Sequence, residues 1–239
     1  MLIENNGANI SVIADALFEV AQNGTFLMRT NTGVRISLDA LSFLEGNVTF
    51  LGNSLGSLSF PGLLEIDGTL LIVSQLFSSQ DASHMFDILS SVSGNLEFRG
   101  NSGVTNLTFP ALTDVIGSII IADNQDLVSL GFGFDVGSLN LEISNNPKLS
   151  EVFFDYLTTF TGKLLIRSTT TIALNLSKLT QLSLPSVLQI QLPSPSTVDL
   201  SQLACASFAS VFVTRDTNVT LPACGPNANV TIISFDFDF

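Results

Sequence analysis

The chain has no tryptophan, one histidine (His84), two cysteines and eight basic residues among its 239. Each scarcity excludes a kind of chemistry. One imidazole and two thiols cannot complete a four-ligand zinc site of the Cys/His kind, and a Ser-His-Asp relay would have to use His84. The basic residues are scattered from Arg29 to Arg215 against 21 acidic ones, for a net charge of −13. Without a positive stripe there is nothing to neutralise a phosphate backbone, so nucleic acid is not an expected partner. Long apolar runs are missing too. The longest, Val115 to Ala122, is broken by Gly117 and Ser118, far short of the roughly 20 residues of a spanning helix. No membrane span is expected within the chain. Charge of either sign is sparse, at 12% of residues against about 25% in an average globular protein.

What is abundant is apolar surface: 46% of residues are hydrophobic and 19 are phenylalanine. Such a chain has too much to hide to remain disordered. With no long run to hold them, the apolar residues must be spread over many short strands.

A period organises them. Glycines at 24, 46, 68, 94, 117, 137 and 162 are followed two residues later by Phe26, Val48, Leu70, Leu96, Ile119, Leu139 and Leu164. Four residues later come Met28, Phe50, Ile72, Phe98, Ile121, Leu141 and Ile166. Alternation of this kind marks a short strand with one buried face. Seven residues after the glycine stand Asn31, Asn53, Asn101 and Asn124, with Gln75 and Thr169 in the same place elsewhere. The repeat from Gly137 needs a slip of two to align Asn146, which makes Leu141 and Ile143 its inward pair and leaves the strand's inward set inward. A column of asparagines, Asn31, Asn53, Asn101, Asn124 and Asn146, can bond the backbone of neighbouring coils.

The second half of the repeat carries an apolar-proline-x-apolar word: Phe60-Pro61-Gly62-Leu63, Phe109-Pro110-Ala111-Leu112, Leu184-Pro185-Ser186-Val187 and Leu221-Pro222-Ala223-Cys224. Proline cannot donate to a ladder, so the word marks a bend or the start of a short strand. Coils of about 22–25 residues that can be covered only by their neighbours make a solenoid. The expected fold is all-β, a right-handed β-helix or leucine-rich-repeat-like solenoid. It forms one domain over 1–239, with clear repeats over 24–190 and irregular coils and a cap over 191–239. The longest glycine spacing leaves room for a short helix near 81–90, capped by Asp81.

The stretch from Gly94 through Leu96, Glu97, Phe98 and Asn101, continuing through Phe109-Pro110-Ala111-Leu112 and Val115-Ile116-Gly117-Ser118-Ile119-Ile120-Ile121-Ala122-Asp123-Asn124, resembles the receptor L-domain family. These are leucine-rich-repeat-like β-helical domains of growth-factor receptor ectodomains and fungal cell-wall surface proteins. The segment Leu141 to Leu149, with Asn146-Pro147, is similar to that family's asparagine-proline turn. The likeness covers roughly residues 24–190. It implies a solenoid at the cell surface, although the cysteine-rich modules of the receptors and the Ser/Thr-rich tail of the fungal proteins are absent.

Several expectations follow the same line. Met1, Ile3 and Asn6 fall at the inward, inward and asparagine places of a coil, so the chain is expected to start inside a repeat, with a signal and a capping segment upstream. Cys205 and Cys224, about one coil apart, could be paired at the carboxyl-terminal cap or remain as buried thiols. Sequons at Asn23, Asn47, Asn106, Asn175, Asn218 and Asn229 are compatible with secretion. Asp236 and Asp238 read as the outer face of a last strand rather than a glycosidase pair or a calcium site. His84 reads as a solvated loop residue rather than a catalytic base. No cofactor and no metal are expected.

The outward side chains of the repeated strand remain. Leu27, Thr49, Leu71, Glu97, Ile120, Glu142 and Leu165 stand three residues after the glycines, counting the slipped repeat. Arg29, Leu51, Val73, Arg99, Ala122, Ser144 and Arg167 stand five after. An exposed apolar row through Leu71, Ile120 and Leu165, interleaved with Glu97 and Glu142 and edged by Arg99 and Arg167, is the expected contact face for a protein or glycan. The function read from this is non-enzymatic binding, adhesion or structure outside the cell. The alternative is a carbohydrate-active β-helix enzyme acting on a polysaccharide.

Overall fold

Alternating apolar residues every 20 to 26 positions can close a core only if each strand lies beside the equivalent strand of the next coil, and that is how the chain is arranged. The computed structural model describes residues 2–4, 11–13, 19–20, 23–82, 84–134, 136–193, 196–203, 209–214, 218–220 and 230–235. Two stacked sheets run the length of these residues, a long one of eleven strands and a second of ten, and a third of five strands accompanies them from Glu19–Val20 to Asp114–Val115. Their neighbours are successive coils, and the pairing is parallel in each. One coil reads Asn47–Leu51 in the long sheet, Ser54–Ser59 in the second and Glu65–Ile66 in the third. The fold is therefore an all-β solenoid, with no helix among the described residues.

The expected inward rows are the observed core. Leu70 pairs in register with Val48 and Leu96, and Ile72 with Phe50 and Phe98. These side chains, with Phe26, Met28, Ile119, Ile121, Leu164 and Ile166, are buried. The slipped repeat is also as expected, since Leu141 lies opposite Ile119 and Ile143 opposite Ile121. Gly137 itself lies within the strand Val136–Ser144, opposite Phe160, whereas Gly162 pairs with Leu139. The register of Ile3 with Met28 places the first described strand, Leu2–Glu4, in the inward phase expected of it. Met1 and Asn6 lie outside the described residues. At the other end the long sheet continues through Ala209–Thr214 and Val230–Phe235, so parallel pairing extends well past residue 190.

The asparagine column is continuous. Asn53 Nδ2 donates to Gln75 Oε1 at 2.9 Å and to the Met28 carbonyl of the preceding coil at 3.1 Å. Asn101 Nδ2 donates to Asn124 Oδ1 at 3.1 Å and to Ile72 O at 2.9 Å. Asn124 Nδ2 reaches Asn146 Oδ1 and Phe98 O, both at 3.0 Å. Each acceptor oxygen also takes a backbone N–H, as Asn101 Oδ1 does from Gln75 at 2.9 Å. All five asparagines and Gln75 are buried, and no buried side-chain nitrogen or oxygen lacks a partner among the described residues. Thr169 does not join the column: it is exposed, and Ser168 turns inward instead, bonding Thr170. The Ser168 hydroxyl is engaged within its own turn, donating to Thr170 O and accepting from Thr170 N–H, and the column stops at Asn146.

The proline word marks a corner in two places. Leu63 N–H donates to Phe60 O at 3.1 Å and Leu112 N–H to Phe109 O at 3.4 Å, with proline second in each four-residue turn. The apolar residue before the proline belongs to an aromatic column: Phe60, Phe86, Phe109, Phe132 and Phe154 stack with ring centroids 5.1 to 5.7 Å apart. Leu184-Pro185-Ser186-Val187 makes no such corner. It lies within the strand Gln181–Gln191, where pairing with Thr159–Arg167 shifts between Ser183 and Val187, and proline's missing donor is tolerated at such an irregularity. Leu221 to Cys224 lie outside the described residues.

The expected helix near 81–90 is absent. The extra residues are absorbed by irregular register in the strand Leu76–Ala82 and by a turn over 84–88. Leu76 and Phe77 keep register with Ser54 and Leu55 before the insertion, and Phe86 stacked between Phe60 and Phe109 with Ser90 N–H on Leu64 O fixes the chain after it. His84 is exposed, and its Nδ1 lies 3.0 Å from Asp87 Oδ2.

Candidate functional site: the outward face of the long sheet

Register decides which outward residues are neighbours. Leu71, Glu97, Ile120, Glu142, Leu165 and Gln189 form one file across six coils, and Leu51, Val73, Arg99, Ala122, Ser144 and Arg167 form the next. The two files expected from spacing are therefore real. Their exposure is less uniform. Leu51 is 41% exposed, and Leu71, Val73, Glu97, Arg99, Ile120 and Glu142 are half-buried, whereas Arg167 is open to solvent. Leu165 is only 4% exposed, which corrects the expectation that it forms part of an open row. It is flanked in register by the long side chains of Glu142 and Gln189 and sits at the wall of a shallow hollow of about 240 Å³ with Ile120 and Lys163.

The apolar surface is also divided. Arg99 Nε lies 3.6 Å from Glu97 Oε2, and this coil of paired charge separates a Leu51-Leu71-Val73 cluster from the hollow at Ile120. Glu142 is held by the Ser144 hydroxyl, which donates to Oε1 at 2.9 Å. An apolar patch cut by oppositely charged groups constrains the orientation of anything docking on it more than its area alone would.

The second sheet differs in character. Its outward positions include Arg35, Ser57, Asn106, Thr108, Glu151, Asn175, Asp199 and Thr220. Among the sequons, Asn23, Asn47, Asn175 and Asn218 are exposed and Asn106 is half-buried. Asn106, Asn175 and Asn218 lie on the second sheet, while Asn47 is at the margin of the long one. Asn175 and Ser177 of one sequon line the same groove as Asn218 and Thr220 of another. Asn229, and Asn9 of a further sequon that spacing alone had not brought forward, lie outside the described residues, as do Cys205, Cys224, Asp236 and Asp238.

Two carboxylates are held below the usual range. Asp126 accepts from Lys148 Nζ at 2.7 Å and from Gly103 N–H at 2.8 Å, and the lysine contributes most of the lowering. Asp199 is lowered chiefly by the Ser201 N–H at 2.9 Å. Both stabilise turns, and neither adjoins the outward face of the long sheet. Among the described residues no group of three or more His, Cys, Asp or Glu could hold a metal ion, and no helix is long and apolar enough to cross a membrane. Comparison of the chain with protein families, curated proteins and solved structures finds no match.

Proposed function

We propose that this chain acts outside the cell or on its surface as a non-enzymatic binding or structural module, with the outward face of the long sheet as its contact surface for a protein or glycan. One observation carries the reading. Leu51 is exposed and Leu71, Val73 and Ile120 are only half-buried on a sheet whose other face is a closed core, and Glu97, Arg99, Glu142 and Arg167 stand among them. Surfaces of that composition suit a partner that brings apolar and charged groups together. The exposed sequons on the second sheet support an exterior location, since glycans attached there would leave most of the long sheet uncovered. The likeness of the repeats to receptor L domains points the same way.

The register also selects the variant for the test. Ile120 stands between Glu97 and Glu142, so an aspartate would put three carboxylates in file, whereas a lysine meets two opposite charges. The labelled chain, secreted from eukaryotic cells, is applied to cell surfaces and wall preparations beside Ile120→Lys and a second-sheet control, Ser129→Lys. Loss of attachment in Ile120→Lys alone, with unchanged melting, is expected. Equal attachment by all three chains overturns the reading.

A further inference from the structure

A second hollow, of about 320 Å³, lies on the other side of the molecule, lined by Thr108, Pro110, Gly131, Phe132, Gly133, Phe153, Asp155 and Tyr156. Two glycines let the chain pack closely around it. Gly131 pairs in register with Thr108 and Phe153, and the Phe153 ring lies across it, where a Cβ would stand 2.2 Å from Cε2. At Gly133 a Cβ would meet the Pro110 carbonyl at 2.1 Å. Phe153, half-buried, and Tyr156, exposed, give the hollow its accessible aromatic surface, while Phe132 beneath them is buried. Tyr156 takes the corner place that Gly62 and Ala111 hold in the two proline corners, and it projects to 62% exposure. The backbone N–H of Asp155 donates to Phe132 O at 3.2 Å, which fixes the corner, and Asp155 is the one charged residue among the described residues that line the hollow.

We infer that this hollow receives a cation: the guanidinium or ammonium group of a basic segment on a partner protein. Aromatic faces attract a cation through the ring quadrupole, and a carboxylate beside them supplies a charge-assisted hydrogen bond. The volume is at the lower end for ligand sites, enough for one arginine or lysine side chain with its adjoining backbone. A chain with net charge −13 draws positive groups toward its surface and repels anions. The site is separate from the face of the long sheet, so its loss leaves the reading given above intact, and the reverse also holds.

Composition supplies the reporter. Tyr156 is the only tyrosine and there is no tryptophan, so tyrosine emission from the intact chain reads this site alone. Titration with arginine amide is compared with methyl glucoside, a neutral sugar. A saturable change with arginine amide is expected. It should weaken about tenfold in Asp155→Asn, the equivalent of one charge-assisted hydrogen bond, and decline as salt is raised. The salt series needs no variant, and circular dichroism confirms that Asp155→Asn is folded. An absent or non-saturating response overturns the inference, and so does insensitivity to both salt and Asp155→Asn. A stronger response to methyl glucoside also overturns it, by making the hollow a sugar site.

Discussion

Thr30, Gly52, Ser74, Gly100, Asp123 and Asn145, each one residue before a member of the buried amide column, share a left-handed backbone with φ between 53° and 65°. Glycine adopts that conformation freely, whereas a residue with a Cβ is strained there by roughly 1–2 kcal/mol. Ser74→Gly is therefore expected to stabilise the chain by about 0.5 to 1 kcal/mol in urea denaturation, after allowing for the greater freedom of glycine when unfolded. Asn101→Ala should act in the opposite direction. It leaves the Gln75 N–H and the Ile72 carbonyl without their partners inside the protein, a loss of roughly 1 to 3 kcal/mol by the same measurement. The asparagines could be found from sequence because one residue type recurs at a fixed distance from the glycines. The left-handed column could not, because threonine, serine, aspartate, asparagine and glycine share no side-chain chemistry, and only the backbone shows what they have in common.

At the scale of the element, three of the glycines that set the phase of the repeat, Gly68, Gly94 and Gly117, turn out to be places of close approach between coils. A Cβ on Gly68 or Gly94 would lie 1.9 Å from the carbonyl oxygen of the glycine one coil earlier, and on Gly117 1.7 Å. Those carbonyls accept the N–H that opens the next strand, as Gly68 O does from Asn95 at 2.9 Å. Gly94→Ala must therefore either open the stack or break that ladder, and a loss of about 3 kcal/mol or more is expected in thermal or chemical melting. Gly52→Ala is the comparison. Its Cβ would meet only Thr30 Cγ2 at 3.9 Å, so its cost is limited to the positive φ, about 1 kcal/mol. Strands and their inward rows were legible because period-two alternation survives any irregularity between them. The helix assigned near 81–90 was not, since an insertion's length says nothing about the Phe60-Phe86-Phe109 stack that constrains it. Leu165 escaped for a related reason: its place in the outward file was readable, but not its burial in the hollow it shares with Lys163 and Ile120.

Seen as a whole, the molecule is a three-sided stack whose sides have separate chemistries built on one core. The long sheet shows apolar residues divided by charge, the second is mostly polar apart from Leu76 and the hollow at Phe153 and carries three of the described sequons, and the third presents Phe43, Glu65, Ser91 and Asp114 in file. Nothing in the spacing distinguishes these sides. The distinction comes from which residues fill the outward places, where packing leaves most of the choice open, although Ala122, Ser144 and Leu165 are buried there. The claim on which the proposed contact face depends is that the long sheet has one side committed to the core and one side free of it. Parallel thermal melts of Ile120→Lys and Ile121→Lys test this most directly, since these adjacent residues differ only in the side to which they point. Ile120→Lys should melt cooperatively within about 2–4 °C of the unaltered chain, the shift of roughly 1 kcal/mol in a domain of this size, while Ile121→Lys, burying a charge without a partner, should fail to fold. Equal damage from both substitutions would make the outward face part of the core and contradict its role as a contact surface.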